Sequence, residues 1–188
     1  GEYTLIFNGE IYNYIELKQK LKKKNYTFKT TSDTEVLLKS YMEYGEKCVE
    51  HFIGMWAFAI WDNKKKKLFL SRDIFGEKPL YYFLSNDGFF FGSEIKFIKS
   101  LSNKDFKINK SHINKNLFCG YKSLFKSNET FFEKIYSLES STNLTIDLNL
   151  NIVKKKYWSP KLSIDKNLDE KVASAEINRL LQKSVNLR

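Results

Sequence analysis

One short stretch carries three groups that could act together on an amide: Phe7-Asn8-Gly9-Glu10-Ile11-Tyr12-Asn13-Tyr14. Tyr3-Thr4-Leu5-Ile6-Phe7 reads as a buried strand, Asn8-Gly9 is a strong turn signal, and a helical pattern follows. Asn8 offers a side-chain N–H. Gly9 lets main chain approach a ligand closely and can turn its own N–H outward. Two such donors aimed at one point form an oxyanion hole, which stabilises the tetrahedral intermediate of amide hydrolysis. Glu10 adds an acceptor suited to an α-ammonium group. The same residues also fit a plain Asn-Gly turn followed by an N-cap, and residue chemistry alone favours that plainer account. Asp33 has a plain account too, as the cap of a second helix.

The elements that must hold these groups follow from periodicity. Asn13 can cap a helix over residues 14–24, with Tyr14, Leu17 and Leu21 on one face. Residues 26–30 alternate apolar and polar, the period of a half-exposed strand. Ser32 or Asp33 starts a helix that sets Val36, Leu37 and Tyr41 on one side and stops at Gly45. Two hairpins follow, residues 55–61 with 68–71 and residues 80–84 with 89–91. Such closely spaced strands indicate antiparallel pairing. Short helices fit residues 94–101 and 111–118, and small strands fit residues 135–138, 144–147 and 152–155. Composition shifts at Tyr157-Trp158-Ser159-Pro160. Residues 161–167 then read as a linker, and Leu168, Val172, Ala175, Leu180 and Leu181 trace a final helix.

The 188 residues suit one domain with an appendage, and 42% hydrophobic with 16% aromatic content is ample for a core. No run approaches the ~18 apolar residues of a membrane helix. The start has neither a basic n-region nor an h-region. Net charge is +10, from 32 Lys and Arg against 22 Asp and Glu, and nearly all of the cation is Lys. A nucleic-acid groove would draw on Arg for its planar fork, so a solvated Lys surface is expected, with no nucleic acid and no membrane as partner. Cys48 and Cys119 lie far apart, no CxxC exists, and neither His51 nor His112 makes a ligand-spaced cluster with them. No metal site is expected, and both thiols should be buried and reduced, pointing to a cytoplasmic location.

The Asn8-Gly9 string resembles the NGEIYN motif of asparagine synthetase-type class II (Ntn) glutamine amidotransferases. Further matches follow in order. Thr31-Ser32-Asp33-Thr34-Glu35 resembles their SDTE, and Phe52-Ile53-Gly54-Met55-Trp56-Ala57-Phe58-Ala59-Ile60-Trp61-Asp62 their F-x-GMWAFAIWD. Arg72-Asp73-Ile74-Phe75-Gly76-Glu77-Lys78-Pro79-Leu80-Tyr81-Tyr82 is similar to RDxxGxKPLYY, and Phe91-Gly92-Ser93-Glu94-Ile95-Lys96 to FGSEIK. Similarity thins after Leu101 and returns around Tyr157-Trp158.

The resemblance implies an α+β fold, an Ntn-hydrolase-type αββα sandwich of antiparallel sheets, here expected to be incomplete, with N-terminal strands missing. Residues 1–158 would be the C-terminal part of the amidotransferase domain. Residues 159–188 would be a linker and the first helix of an ATP-pyrophosphatase synthetase domain. Asn8 and Gly9 would form the oxyanion hole, and Glu10 and Asp33 would hold the α-amino end of glutamine. Arg72, Asp73, Gly76, Lys78 and Pro79 would be structural, with Arg72 and Asp73 pairing locally, and Glu94 would cap or face the synthetase half.

The class uses an N-terminal Cys whose thiolate attacks the amide. Gly1, Cys48 and Cys119 cannot fill that role, so the fragment alone should be inactive. The parent would be a ligase, passing ammonia from glutamine to an ATP-activated carboxylate, aspartate by default. ATP and Mg2+ belong to the synthetase domain, whose SGGLDSS-type loop is absent, and no cofactor is expected in this chain. Partners would be glutamine and the synthetase domain, with a homodimer left open. Another acceptor, a non-catalytic module and a polyanion binder are the competing accounts. Ser140-Ser141 stands where relatives often carry Pro-Gly, which should loosen a turn.

Overall fold

The computed structural model describes residues 1–121, 127–164 and 169–187. The chain divides into two compact units, each assembled from two stretches. Gly1–Glu10 and Met55–Trp158 form the first, Ile11–Gly54 and Ser159–Arg188 the second.

The first unit holds two sheets. In the larger, the strands run in the order β1 (Tyr3–Ile11), β2 (Gly54–Asp62), β3 (Lys67–Arg72), β7 (Thr142–Asp147) and β8 (Ile152–Lys156). In the smaller, β4 (Tyr81–Ser85) lies between β5 (Gly88–Gly92) and β6 (Tyr136–Ser137). Both expected hairpins form, with Ala57 opposite Arg72 in one and Tyr82 opposite Phe91 in the other, all antiparallel. They fall in different sheets. Ala57, Ala59, Leu70, Leu144 and Ile146 of the larger sheet share a core with Leu80, Tyr82 and Leu138. Successive side chains of a strand face opposite sides, so Trp56, Phe58 and Ile60 point the other way, and they are buried as well. Burial on both faces is why β2 reads as a continuous apolar run. Helix α3 (Ile95–Ser102) covers the outer side of the smaller sheet through Ile98, Phe83 and Ile135, and α4 (Lys110–Cys119) follows, capped by Asn109.

The link from β3 to β4 is organised by Arg72 and Asp73, but not by their pairing with each other. The Arg72 guanidinium donates to the carbonyls of Gly76, Lys78 and Leu138 and to Ser137 Oγ at 2.6–2.9 Å. The buried Asp73 carboxylate accepts the amides of Phe75, Glu77 and Lys78 at 3.0 Å and that of Trp56 at 3.3 Å. Ser141 sits in the left-handed region, φ 52°, a conformation that costs a side-chain-bearing residue on the order of 1 kcal/mol. The expected loosening at Ser140-Ser141 is therefore backbone strain at Ser141 within a turn held at both ends. The Ser141 amide donates to the Asp73 carbonyl, and its own carbonyl accepts from Tyr157.

In the second unit, α1 (Tyr14–Lys22) buries Leu17 and Leu21. Helix α2 (Asp33–Tyr44) buries Val36, Leu37 and Tyr41 and stops at Gly45, φ 60°, as expected. A 3-10 helix, Gly45–His51, follows that the pattern had not signalled. Helix α5 (Glu170–Asn186) buries none of its residues. The expected Leu168, and residues 165–167 of the expected linker, lie outside the described residues.

Four further expectations are corrected. β1 is not a buried strand that stops at Asn8-Gly9: its exposure alternates, with none of residues 3–7 buried, and it continues to Ile11. Asn13 precedes α1 without a side-chain cap, because its amide is spent across the loop, donating to the His51 carbonyl at 3.0 Å and accepting from the Ile53 amide at 2.9 Å. Residues 26–30 keep alternating exposure but make no strand. The Lys29 and Thr30 amides donate to the Glu35 carboxylate, which takes the place of a ladder partner. Cys48 is buried, whereas Cys119 is exposed.

Candidate functional site

The end of β1 is an exposed shelf. Exposure alternates along the strand, so Ile6, Asn8 and Glu10 project from one face while Phe7, Gly9 and Ile11 turn to the other. Asn8 and Glu10 thus stand two residues apart on a common side, about 7 Å of strand. Gly9 sits between them at φ 157°. A Cβ there would come within 2.2 Å of the Met55 carbonyl oxygen and 2.7 Å of Trp56 Cα. The Asn-Gly pair therefore serves as a strand segment pressed against the β2 backbone, and only glycine permits that approach.

The Asn8 carboxamide is held from far along the chain. Its Nδ2 donates to Ser93 Oγ at 3.1 Å. Both residues border a pocket of about 530 Å³ whose other walls are apolar, including Ile6, Phe91, Phe97 and Leu101. A carboxamide N–H at the rim of an apolar hollow can donate toward negative charge that develops on a ligand seated there.

Asp33 lies in the second unit, at the first position of α2. Ser32 takes the cap, accepting the Thr34 amide at 3.1 Å, and this frees the Asp33 carboxylate for another role. Its Oδ2 accepts the Ile11 amide at 3.0 Å, from the residue that follows Glu10 in the chain. Of the four residues singled out by sequence, three are consecutive on β1, and the fourth binds the main chain at the next position. Ser93 was missed as a site residue. It lies 85 positions from Asn8, beyond any spacing argument.

Neither thiol suits a nucleophile's place at this shelf. Cys48 is fully buried, and burial drives its thiol far above the ordinary range, which suppresses the thiolate. Cys119 ends α4, and no cysteine lines the pocket beside Asn8. Among the described residues, no group of three or more His, Cys, Asp or Glu is placed to hold a metal ion, and no helix is long and apolar enough to cross a membrane.

Residues 1–158 match a family model described as a glutamine amidotransferase domain. A Methanocaldococcus jannaschii protein named as a glutamine-hydrolyzing asparagine synthetase is 38% identical over 190 residues, covering 100% of this chain and 36% of that protein. Bacillus subtilis glutamine-hydrolyzing asparagine synthetase 3 is 50% identical over 105 residues, 56% of this chain and 17% of its own length. Asparagine synthetase 1 of the same organism is 36% identical over 185 residues, 98% of this chain and 28% of its own. The chain therefore spans about a third or less of the curated relatives it matches. Among solved structures, the glutamine phosphoribosylpyrophosphate amidotransferase of Bacillus subtilis superposes with a TM-score of 0.60 at 18% identity, covering 84% of this chain and 30% of that one. An allosteric regulatory enzyme of purine biosynthesis gives 0.57 at 19%, covering 84% and 29%. At such identities the likeness is one of fold, the α+β arrangement of antiparallel sheets of Ntn-type amidotransferases.

Proposed function

Since the chain belongs to the glutamine amidotransferase domain family, we propose that the β1 shelf is the glutamine-binding wall of a class II glutaminase site. In this reading a thiolate attacks the side-chain amide of glutamine, and the carbonyl oxygen takes up negative charge. The Asn8 Nδ2–H and the Gly9 N–H donate to that oxyanion as it forms. Glu10 and Asp33 hold the α-ammonium group, two carboxylates matched to one cation. Since neither Cys48 nor Cys119 is suited to attack, the thiolate is assigned to the parent polypeptide outside these residues, and the 188 residues alone are expected to bind rather than hydrolyse.

The parent is proposed to be a ligase of the asparagine synthetase kind, delivering the released ammonia to an ATP-activated carboxylate, aspartate by default. Residues 159–188 are assigned to a linker and the first helix of its synthetase domain, in keeping with an α5 that buries nothing. ATP and Mg2+ would act in that domain, and no residue of this chain is assigned to them. A cytoplasmic location is proposed on the free, unlinked Cys48 and Cys119, and a homodimer is the oligomer to test.

The observation that carries the reading is Asn8 and Glu10 projecting together from one face, with Gly9 between them at a glycine-only approach. The test is Asn8→Ala in the full-length polypeptide. Glutaminase kcat should drop on the order of 10²–10³-fold, the usual cost of one oxyanion-hole donor, while synthesis driven by added ammonium salt stays near wild type. Unchanged glutamine turnover would sink the assignment.

A further inference from the structure

The motif Phe91-Gly92-Ser93-Glu94-Ile95-Lys96 served above only as a family signature, and the function left its serine without a task. The structure gives it one. Ser93 is half-buried on the bend between the end of β5 and the start of α3. Both flanks are fixed. Gly92 pairs with Tyr81 in the last rung of the small sheet, and the Glu94 carbonyl accepts the Phe97 amide in the first turn of α3. Ile98 of that helix is fully buried. A hydroxyl mounted between two packed elements makes a rigid anchor.

Asn8 needs such an anchor. It is exposed near the end of an edge strand, and the terminal torsion of an asparagine is broad, with no sharp preferred angle. A donor lowers a barrier only if it is aimed before charge develops, since reorienting it during the reaction consumes the gain. The carboxamide nitrogen carries two hydrogens in one plane, about 120° apart for an sp² nitrogen. Committing one of them to Ser93 Oγ at 3.1 Å fixes the plane and directs the second away from Ser93.

We propose that Ser93 is a positioning residue that aims the Asn8 carboxamide, so that the transition-state donor of the glutaminase site depends on a hydroxyl from the small sheet. This deepens the β1 reading given above and rests on it. Ser93 acts through Asn8, so its loss should weaken the transition state more than ground-state binding.

The test uses the full-length polypeptide with Ser93→Ala, Ser93→Thr, Asn8→Ala and the Asn8→Ala, Ser93→Ala double variant. Glutaminase kcat and KM are measured, with ammonium-driven synthesis as the control for folding. Ser93→Ala should lower kcat about tenfold, less than loss of the donor itself, with KM for glutamine within about twofold. Ser93→Thr, which keeps the hydroxyl, should recover most of the rate. In the Asn8→Ala background, Ser93→Ala should add nothing, because the group it aims is gone. A Ser93→Ala enzyme with wild-type kcat overturns the proposal, as does an undiminished tenfold loss in the Asn8→Ala background. A normal Asn8→Ala defect beside an unaffected Ser93→Ala enzyme removes Ser93 alone. An unaffected Asn8→Ala enzyme removes the glutaminase reading and the proposal with it. Should Ser93→Ala fail the ammonium control, Ser93→Cys, a weaker acceptor of similar size, takes its place and should lower kcat below that of Ser93→Thr, whereas a wild-type kcat in Ser93→Cys overturns the proposal.

Discussion

Gly9 leaves the chain no alternative residue. Any side chain there would drive its Cβ to 2.2 Å from the Met55 carbonyl oxygen, an atom that cannot yield without moving β2. Gly9→Ala should therefore destabilise the protein by more than about 2 kcal/mol, read as a lower urea midpoint with an unchanged slope. An alanine variant of wild-type stability would mean that the strand does not run as described. Sequence alone marked this glycine correctly but for another reason, since Asn-Gly suggested a turn, whereas the need is for close passage of two strands. The candidate residues on β1 were legible because they are consecutive. Ser93 was not, because its meaning comes from a partner 85 positions away.

At the scale of elements, legibility followed how locally a segment is stabilised. β2 was plain because burial on both faces demands an unbroken apolar run, and α2 was plain because it carries its own cap and its own glycine stop. Residues 26–30 misled because half-burial by any neighbour yields the same alternation as a strand. Their amides are satisfied by Glu35, which the amides of Lys29 and Thr30 and the Thr30 hydroxyl hold ionised. The Lys29 amide is the largest influence lowering this carboxyl below its ordinary 4.5, with burial opposing. A carboxyl that ionises more readily folded than unfolded stabilises the fold above its unfolded value, and that contribution is lost as pH falls through the folded value. Glu35→Gln should accordingly lower the thermal midpoint at neutral pH, and its difference from wild type should shrink below about pH 4.5. A gap that stays constant from pH 7 to pH 3 would show that the carboxylate's charge is not what holds residues 26–30.

For the whole molecule, five motifs sufficed to place the family, yet they could not show that the two units interleave in sequence, because that depends on which distant segments pair. Thiol reactivity gives a global check on the core. Cys119 is exposed, and Cys48 is fully buried with its thiolate suppressed, so a native chain should take up one equivalent of an aromatic disulfide reagent quickly. The second equivalent should react only on denaturation, and two fast equivalents would contradict the packing around Cys48.

The interleaving also sets a timetable for synthesis. Residues 1–10 are made before residues 11–54, but they belong to a unit whose remaining residues begin at Met55, and among the described residues β1 pairs with β2 at the end of its sheet. The helices of residues 11–54 can form from local contacts while β1 still waits for its neighbour. The segment bearing Asn8 and Gly9 is therefore made well before the β2 strand that secures it, and during that interval its unpaired backbone is open to strays, the interval in which a nascent chain most needs a chaperone.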